Sequence, residues 1–272
     1  TQEGITQIDI KGITAKGAFD RRKIPGFIVR YLIRTVHQEE LNDILRRYHD
    51  KTGSVHARVD RIFLIEPGIG NEENIPSEGR YIFASNHPLG GLDGICLSAI
   101  IGGRFDGKIR YLVNDLLLYL SNLRSIFVPI NKHGAQGKKN AELIEKAYAS
   151  DNQIITFPAG LCSRKQNGKI QDPEWKKSFY PKASEYRIGS IVPVFFEGRN
   201  SNFFLPSRQR AESIGYKDEL EMIYLPDEMF KSKHKTYRIH FGKPISWQTF
   251  DSSRKPAEWA EWMKEVVYNL KK

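Results

Sequence analysis

Residues 81–94 read Tyr81-Ile-Phe-Ala-Ser-Asn86-His87-Pro-Leu-Gly90-Gly91-Leu-Asp93-Gly94. The apolar run Tyr81 to Ala84, stopped by Ser85-Asn86, predicts a buried strand that ends at a polar loop. Gly90 and Gly91 permit positive φ and close backbone approach, so the loop can turn His87 and Asp93 toward each other. Residues 95–101 are mostly apolar and predict a buried helix directly after the loop. A His on a strand-to-helix loop, with an Asp able to hold its imidazole, is a general-base arrangement. The same residues also suit a glycine-rich turn with an ordinary His and a helix-capping Asp, and spacing alone leaves both readings open.

Outward from this stretch, strands alternate with helices. Strands are expected at 59–66, 109–113, 125–130, 153–157, 191–196 and 236–241. Helices are expected at 140–148, 207–222 and 256–270, with 116–120 in a short helix. Residues 67–79 and 164–177 read as loops, and Pro193 implies an edge strand or a bulge at 191–196. This is an α/β pattern: a single mixed, mainly parallel sheet flanked by helices. In such sheets ligands bind beyond the carboxyl ends of the strands. Some of the loops Asn86-His87, Asn131-Lys132-His133, 158–164 and 197–200 are therefore expected to share one cleft.

Ahead of the sheet lies a helical appendage. Residues 1–19 read as a polar arm and 24–36 as a helix, with Pro25 in its first turn. Ile24, Phe27, Ile28, Tyr31, Leu32 and Thr35 fall on one face, with Arg21, Arg22, Lys23, Arg30 and Arg34 around them. Residues 39–49 form a second helix with Leu41, Ile44, Leu45 and Tyr48 in register. Two packed amphipathic helices and a basic, apolar membrane-interface surface both fit.

The 272 residues carry 42 Lys+Arg against 32 Asp+Glu, a formal charge of +10. That favours anionic partners: lipid headgroups, nucleic acid or an acidic carrier. The chain has no zinc-finger or RNA-recognition signature, which argues against nucleic acid. Cys96 and Cys162 form no paired framework and read as reduced thiols of a cytoplasmic protein. The start of the chain lacks an apolar signal-peptide core. No run approaches the ~20 apolar residues that span a bilayer. The seven His show no metal-ligand spacing, so no metal is expected.

Three further stretches bring a resemblance into view. Asn86-His87…Asp93, Phe157-Pro158-Ala159-Gly160…Ser163-Arg164 and Ile191-Val192-Pro193-Val194 resemble the first, third and fourth blocks of the glycerophospholipid acyltransferase family. Residues 125–131 stand where the second block belongs. The resemblance spans roughly residues 57–245. It is closest to a bacterial hemolysin-like branch, some of whose members make amino-acid-based acyl lipids. The chain departs from the family in having five residues, not four, between His87 and Asp93. Ala159, Leu161 and Cys162 replace the Glu, Thr and Arg of the third block, and Asn131 stands where the second block ends in Arg. The resemblance thus implies a retained catalytic pair and a rebuilt acceptor site. It divides the chain into an N-terminal arm with amphipathic helices, 1–56, and an acyltransferase domain, 57–272.

What the resemblance implies is acyl transfer from an acyl carrier protein or coenzyme A thioester to the hydroxyl of a single-chain membrane lipid, an N-acyl amino acid, with no bound cofactor. His87 would take the hydroxyl proton and Asp93 would fix the imidazole tautomer. Asn86, Asn131, Gly160, Ser163, Arg164 and Arg199 are the candidate substrate contacts, and backbone N–H groups near Gly160 or Gly91 are candidate oxyanion donors. The protein would work at the inner face of the cell membrane as a peripheral, cytoplasmic enzyme. Alternatives are acylation of lysophosphatidic acid or glycerol 3-phosphate, a hydrolase using His87, and a non-catalytic lipid-surface protein. Cys162 reads either as a nucleophile or as a small buried residue, and Lys132-His133 either as a phosphate contact or as a solvated turn.

Overall fold

Apolar residues in adjacent pairs decide how the sheet is covered. Ile82 and Phe83, Ile154 and Ile155, and Ile191 and Val192 are all fully buried. Successive side chains of a strand face opposite ways, so strands of this kind need a layer on each face. The computed structural model, which describes residues 8–11, 25–47, 66–113, 126–130, 137–166, 168–201 and 219–271, has those two layers.

The strands are β1 (Glu66–Gly70), β2 (Tyr81–Ser85), β3 (Ile109–Val113), β4 (Phe127–Pro129), β5 (Gln153–Thr156), β6 (Arg164–Gln166), β7 (Lys169–Gln171), β8 (Ser190–Phe196), β9 (Thr236–Phe241) and β10 (Ile245–Ser246). Eight of them form one sheet in the order β1-β9-β8-β2-β5-β3-β4, with β10 also on β8. Its pairs are parallel except β8 with β9 and with β10. The sheet is therefore mixed and mainly parallel.

The helices are α1 (Gly26–Thr35), α2 (Gln38–Arg47), α3 (Gly91–Arg104), α4 (Gly137–Ala149), α5 (Phe179–Glu185), α6 (Glu219–Lys231) and α7 (Pro256–Asn269). Leu97 and Ile101 of α3 and Met229 of α6 pack with Phe83, Ile155 and Val192 on one face. Phe179 and Ala183 of α5 and Trp259, Met263 and Val267 of α7 pack with Ile82, Ile154 and Ile191 on the other. Each fully buried Val, Leu, Ile, Phe or Met among them contributes about 1.5–3 kcal/mol.

Four expectations need correction. The segment after residue 66 is not a loop: Glu66–Gly70 is β1, parallel to β9. It is the outermost strand of the order, where Pro67 is tolerated because an edge position can dispense with a ladder donor. Pro193 does not mark an edge, because β8 lies between β2 and β9. Pro193 O accepts from Gly242 N at 2.8 Å, at the junction where the pairing of β8 passes from β10 to β9. The missing N–H faces that same gap, so no ladder bond is forfeited.

Residues 164–177 hold the hairpin β6–β7 and the buried Trp175, and the short helix α5 follows. Their Lys- and Gln-rich composition concealed a two-stranded ribbon with a solvated face. Helix α6 runs on to Lys231 with Pro226 inside it. Residues 51–65, 116–120 and 207–218, with their expected strand and helices, lie outside the described residues.

The N-terminal helices rest on α6. Tyr31 and Tyr224 hydroxyls lie 3.1 Å apart, His37 Nε2 is 3.1 Å from Asp227 Oδ1, and the His37 ring stacks on Phe230 at 4.4 Å. Residues 8–11 are pinned to α2, where Asn42 exchanges two hydrogen bonds with the backbone of Ile8. Thr35 and Val36 are buried, but Phe27 and Tyr31 remain 66% and 50% exposed.

Candidate active site

The carboxyl ends of β2, β5 and β8 come level at one edge of the sheet, since Ala84 pairs with Thr156 and Ser85 with Val194. The loops that follow them, 86–90, 157–163 and 197–200, build the site. Asn86 staples two of these strands together. Its Oδ1 accepts from Phe196 N at 2.7 Å, and its Nδ2 donates to Phe196 O at 3.0 Å. Asn86 is thus committed to the scaffold through both ends of its amide.

His87 follows, and Gly90 takes φ 76° to turn the chain into α3. A side chain at Gly90 would meet Leu225 Cδ2 at 2.6 Å, so the position needs Gly for space as well as for φ. The turn sets Asp93 in the first turn of α3, where the helix dipole favours an anion. Asp93 Oδ1 lies 3.1 Å from His87 Nδ1, with the carboxylate fully buried and the imidazole 16% exposed. Leu89 N donates to Asp93 Oδ2 at 2.9 Å and Gly94 N to Oδ1 at 2.8 Å. Five intervening residues, with Gly90-Gly91 at the turn, thus still bring the two side chains to 3.1 Å.

Neighbouring groups show how closed the floor of the site is. The His87 ring packs on Phe157 with centroids 4.1 Å apart. The buried Tyr111 phenol is pushed well above its usual range, first by desolvation and then by the Asp93 charge. The same two causes push the Cys96 thiol up to about 12.

The loop after β5 grips His87 from the other side. Ser163 N donates to His87 O at 2.7 Å, and the buried Ser163 hydroxyl donates to Asp172 Oδ1 at 2.5 Å. Gly160 takes φ 68° and gives its N–H to Phe157 O at 2.9 Å, so that N–H is already engaged. Arg164 opens β6, half-buried, directly after Ser163. Arg199 is exposed on the loop after β8. A Cβ at Gly198 would meet Leu89 Cδ1 at 3.1 Å, so this loop abuts the His87 loop. Cys162 is buried. Asn131, Lys132 and His133 lie outside the described residues.

Sequence reasoning missed Asp172 and Trp175. Asp172 Oδ1 accepts from His87 N at 3.1 Å, and Trp175 Nε1 donates to Asp172 Oδ2 at 2.9 Å. Burial is the leading influence on the Asp172 carboxyl and holds it above the usual carboxylate range, against the lowering effect of these donors. The available signal was Trp175, a lone large aromatic among Lys and Glu, which marks an anchor. Among the described residues, no group of His, Cys, Asp or Glu is arranged to hold a metal ion.

Such an arrangement can hold a neutral imidazole in one tautomer and stabilise it once protonated. The acyltransferase family profile matches residues 12–272. The lyso-glycine lipid O-acyltransferase of Bacteroides thetaiotaomicron is 47% identical over 272 residues, covering 99% of this chain and 100% of that one. The enzyme of the same name from Phocaeicola vulgatus is 46% identical, covering 99% of this chain and 97% of that one. Among solved structures, the 1-acyl-sn-glycerophosphate (LPA) acyltransferase PlsC from Thermotoga maritima is similar at a TM-score of 0.49 and 16% identity, over 96% of this chain and 93% of that one. With the family profile spanning nearly the whole chain and two relatives close to half identical along their full length, this chain belongs to the acyltransferase family and is an acyltransferase.

Proposed function

We propose that the chain transfers a fatty acyl group from an acyl thioester to the hydroxyl of a lyso-glycine lipid, a glycine N-acylated by a hydroxy fatty acid. The observation that carries the reading is near-half identity, end to end, with two lyso-glycine lipid O-acyltransferases. It coincides with a buried Asp93 carboxylate on His87 Nδ1.

In the proposed reaction, His87 Nε2 accepts the proton of the acceptor hydroxyl as its oxygen attacks the thioester carbonyl. Asp93 keeps the proton on Nδ1 and stabilises the imidazolium. The tetrahedral intermediate collapses with loss of the thiolate, which recovers the proton from His87. The N–H groups at the very start of α3, from Gly91 onward and before Gly94, are the proposed oxyanion donors. Arg164 and Arg199 are the proposed partners of the glycine carboxylate. A dianionic phosphate would call for more convergent cations than the replaced third block supplies.

The acyl donor is an acyl carrier protein or coenzyme A thioester; an acidic carrier suits a chain of charge +10. No helix among the described residues is long and apolar enough to cross a membrane. The proposed location is peripheral, on the inner face of the cell membrane. The exposed Phe27, Ile28 and Tyr31 of α1, beside Arg30 and Arg34, would lie in the interface.

Initial rates on N-(3-hydroxyacyl)glycine and on lysophosphatidic acid, with one acyl donor and products read by mass spectrometry, test the reading. A strong preference for the glycine lipid is expected. A preference for lysophosphatidic acid would overturn it.

A further inference from the structure

One buried carboxylate near the site takes no part in the chemistry proposed above. Asp172 is 0% exposed, yet it sits among donors from three separate places. Its Oδ1 accepts from His87 N at 3.1 Å and from the Ser163 hydroxyl at 2.5 Å, and its Oδ2 accepts from Trp175 Nε1 at 2.9 Å. Its own N–H donates to the Tyr268 hydroxyl of α7 at 2.7 Å. Ser163 completes the grip by donating its N–H to His87 O at 2.7 Å. The main chain of His87 is therefore held at both its N–H and its C=O, while Asp93 holds the ring.

We propose that Asp172 is a positioning residue: together with Ser163 and Trp175 it fixes the backbone of His87 so that one imidazole reaches both Asp93 and the acceptor hydroxyl. Burying a carboxylate is costly, and a site that needed only packing would be served by an apolar side chain. Three donors on one carboxylate fix a geometry that no apolar residue can.

The kinetic arm of the test rests on the acyl-transfer reading; a second arm needs no acceptor. Asp172→Asn turns one acceptor oxygen into a donor, which must face Trp175 Nε1 or the His87 and Ser163 donors. Turnover of N-(3-hydroxyacyl)glycine should fall at least about 10-fold in kcat, because small misplacements of a reacting group are costly. KM should stay within about two-fold, since the acceptor contacts are untouched.

Asp172→Asn combined with Trp175→Phe removes the opposing donor and should recover part of the lost kcat. In the second arm, ring nitrogen shifts of His87 are read on 15N-histidine-labelled protein, assigned by their loss in His87→Gln. The wild type should show the Nδ1–H tautomer, Asp172→Asn a mixture, and the double variant a return toward wild type. If Asp172→Asn does not fold, Ser163→Ala should show the same direction in both arms. Unchanged His87 ring shifts in a folded variant overturn the inference whatever the activity assay returns. Inactive wild type with altered ring shifts in the variant would sink the acyl-transfer reading and leave the positioning role standing.

Discussion

Replacing Asp93 by Asn changes one atom of a fully buried carboxylate that faces two backbone donors and the His87 ring. Asp93 accepts from Leu89 N on Oδ2, from Gly94 N on Oδ1, and lies 3.1 Å from His87 Nδ1 through Oδ1. An Asn amide has one acceptor oxygen. With its NH2 at the Oδ2 position, the Leu89 N–H is left without an acceptor. With its NH2 at the Oδ1 position, the Gly94 N–H is left unsatisfied, and the His87 ring must move its proton to Nε2. Either way one buried donor loses its partner, at a cost of about 1–3 kcal/mol. At about 2–4 °C per kcal/mol for a chain near this size, the melting temperature should fall by roughly 2–12 °C.

The catalytic cost is larger. In the second orientation His87 has no free nitrogen to accept the hydroxyl proton, and in both the imidazolium loses its counter-charge. The loss should approach the whole contribution of a general base, about 10²–10⁴-fold in kcat. The assay is acyl transfer from an acyl thioester to N-(3-hydroxyacyl)glycine by mass spectrometry, beside a thermal melt. Wild-type kcat in a folded Asp93→Asn enzyme would refute the reasoning.

Gly94→Ala would bring a Cβ to 2.6 Å from Tyr111 Cζ. The gain of about 1 kcal/mol in helix propensity should lose to about 1–3 kcal/mol of overpacking, and a thermal melt should show the variant less stable. The Cys96 thiol is 3% exposed and pushed up to about 12, so in folded protein at neutral pH it should resist an alkylating reagent and react only on unfolding, as peptide mass mapping can show. Phe27→Asp and Tyr31→Asp should each weaken co-sedimentation with anionic vesicles, since both side chains stand at least half exposed on α1. Binding should also weaken as salt rises. Unchanged binding in both variants would remove α1 from the membrane contact.

The legible parts of this chain were those in which local pattern and tertiary burial agree. Strand β9 was bounded correctly from Thr236 to Phe241, and α7 to within one residue, because alternation and the Trp259-Trp262-Met263-Val266 spacing leave little choice. The His87 to Asp93 approach was legible because two glycines in a short loop can close it, and the pair is found 3.1 Å apart.

Pro193 does not mark an edge, because the rule that bars Pro from central strands assumes a continuous ladder, whereas here the ladder changes partner opposite Pro193. Asn86 was read as a substrate contact because a polar residue beside His87 is ambiguous until its partner, Phe196, is known. Asp172 was missed for a related reason: His87 and Tyr268 lie 85 and 96 residues away, and the nearby Trp175 signals an anchor without saying which charge it holds.

The most direct test of the account is single-turnover acyl transfer by His87→Ala to N-(3-hydroxyacyl)glycine, on protein whose melt and circular dichroism match wild type. Loss of at least about 10²-fold in rate is the predicted result, since the imidazole is the proposed proton acceptor. Undiminished transfer by the folded variant would contradict the central claim.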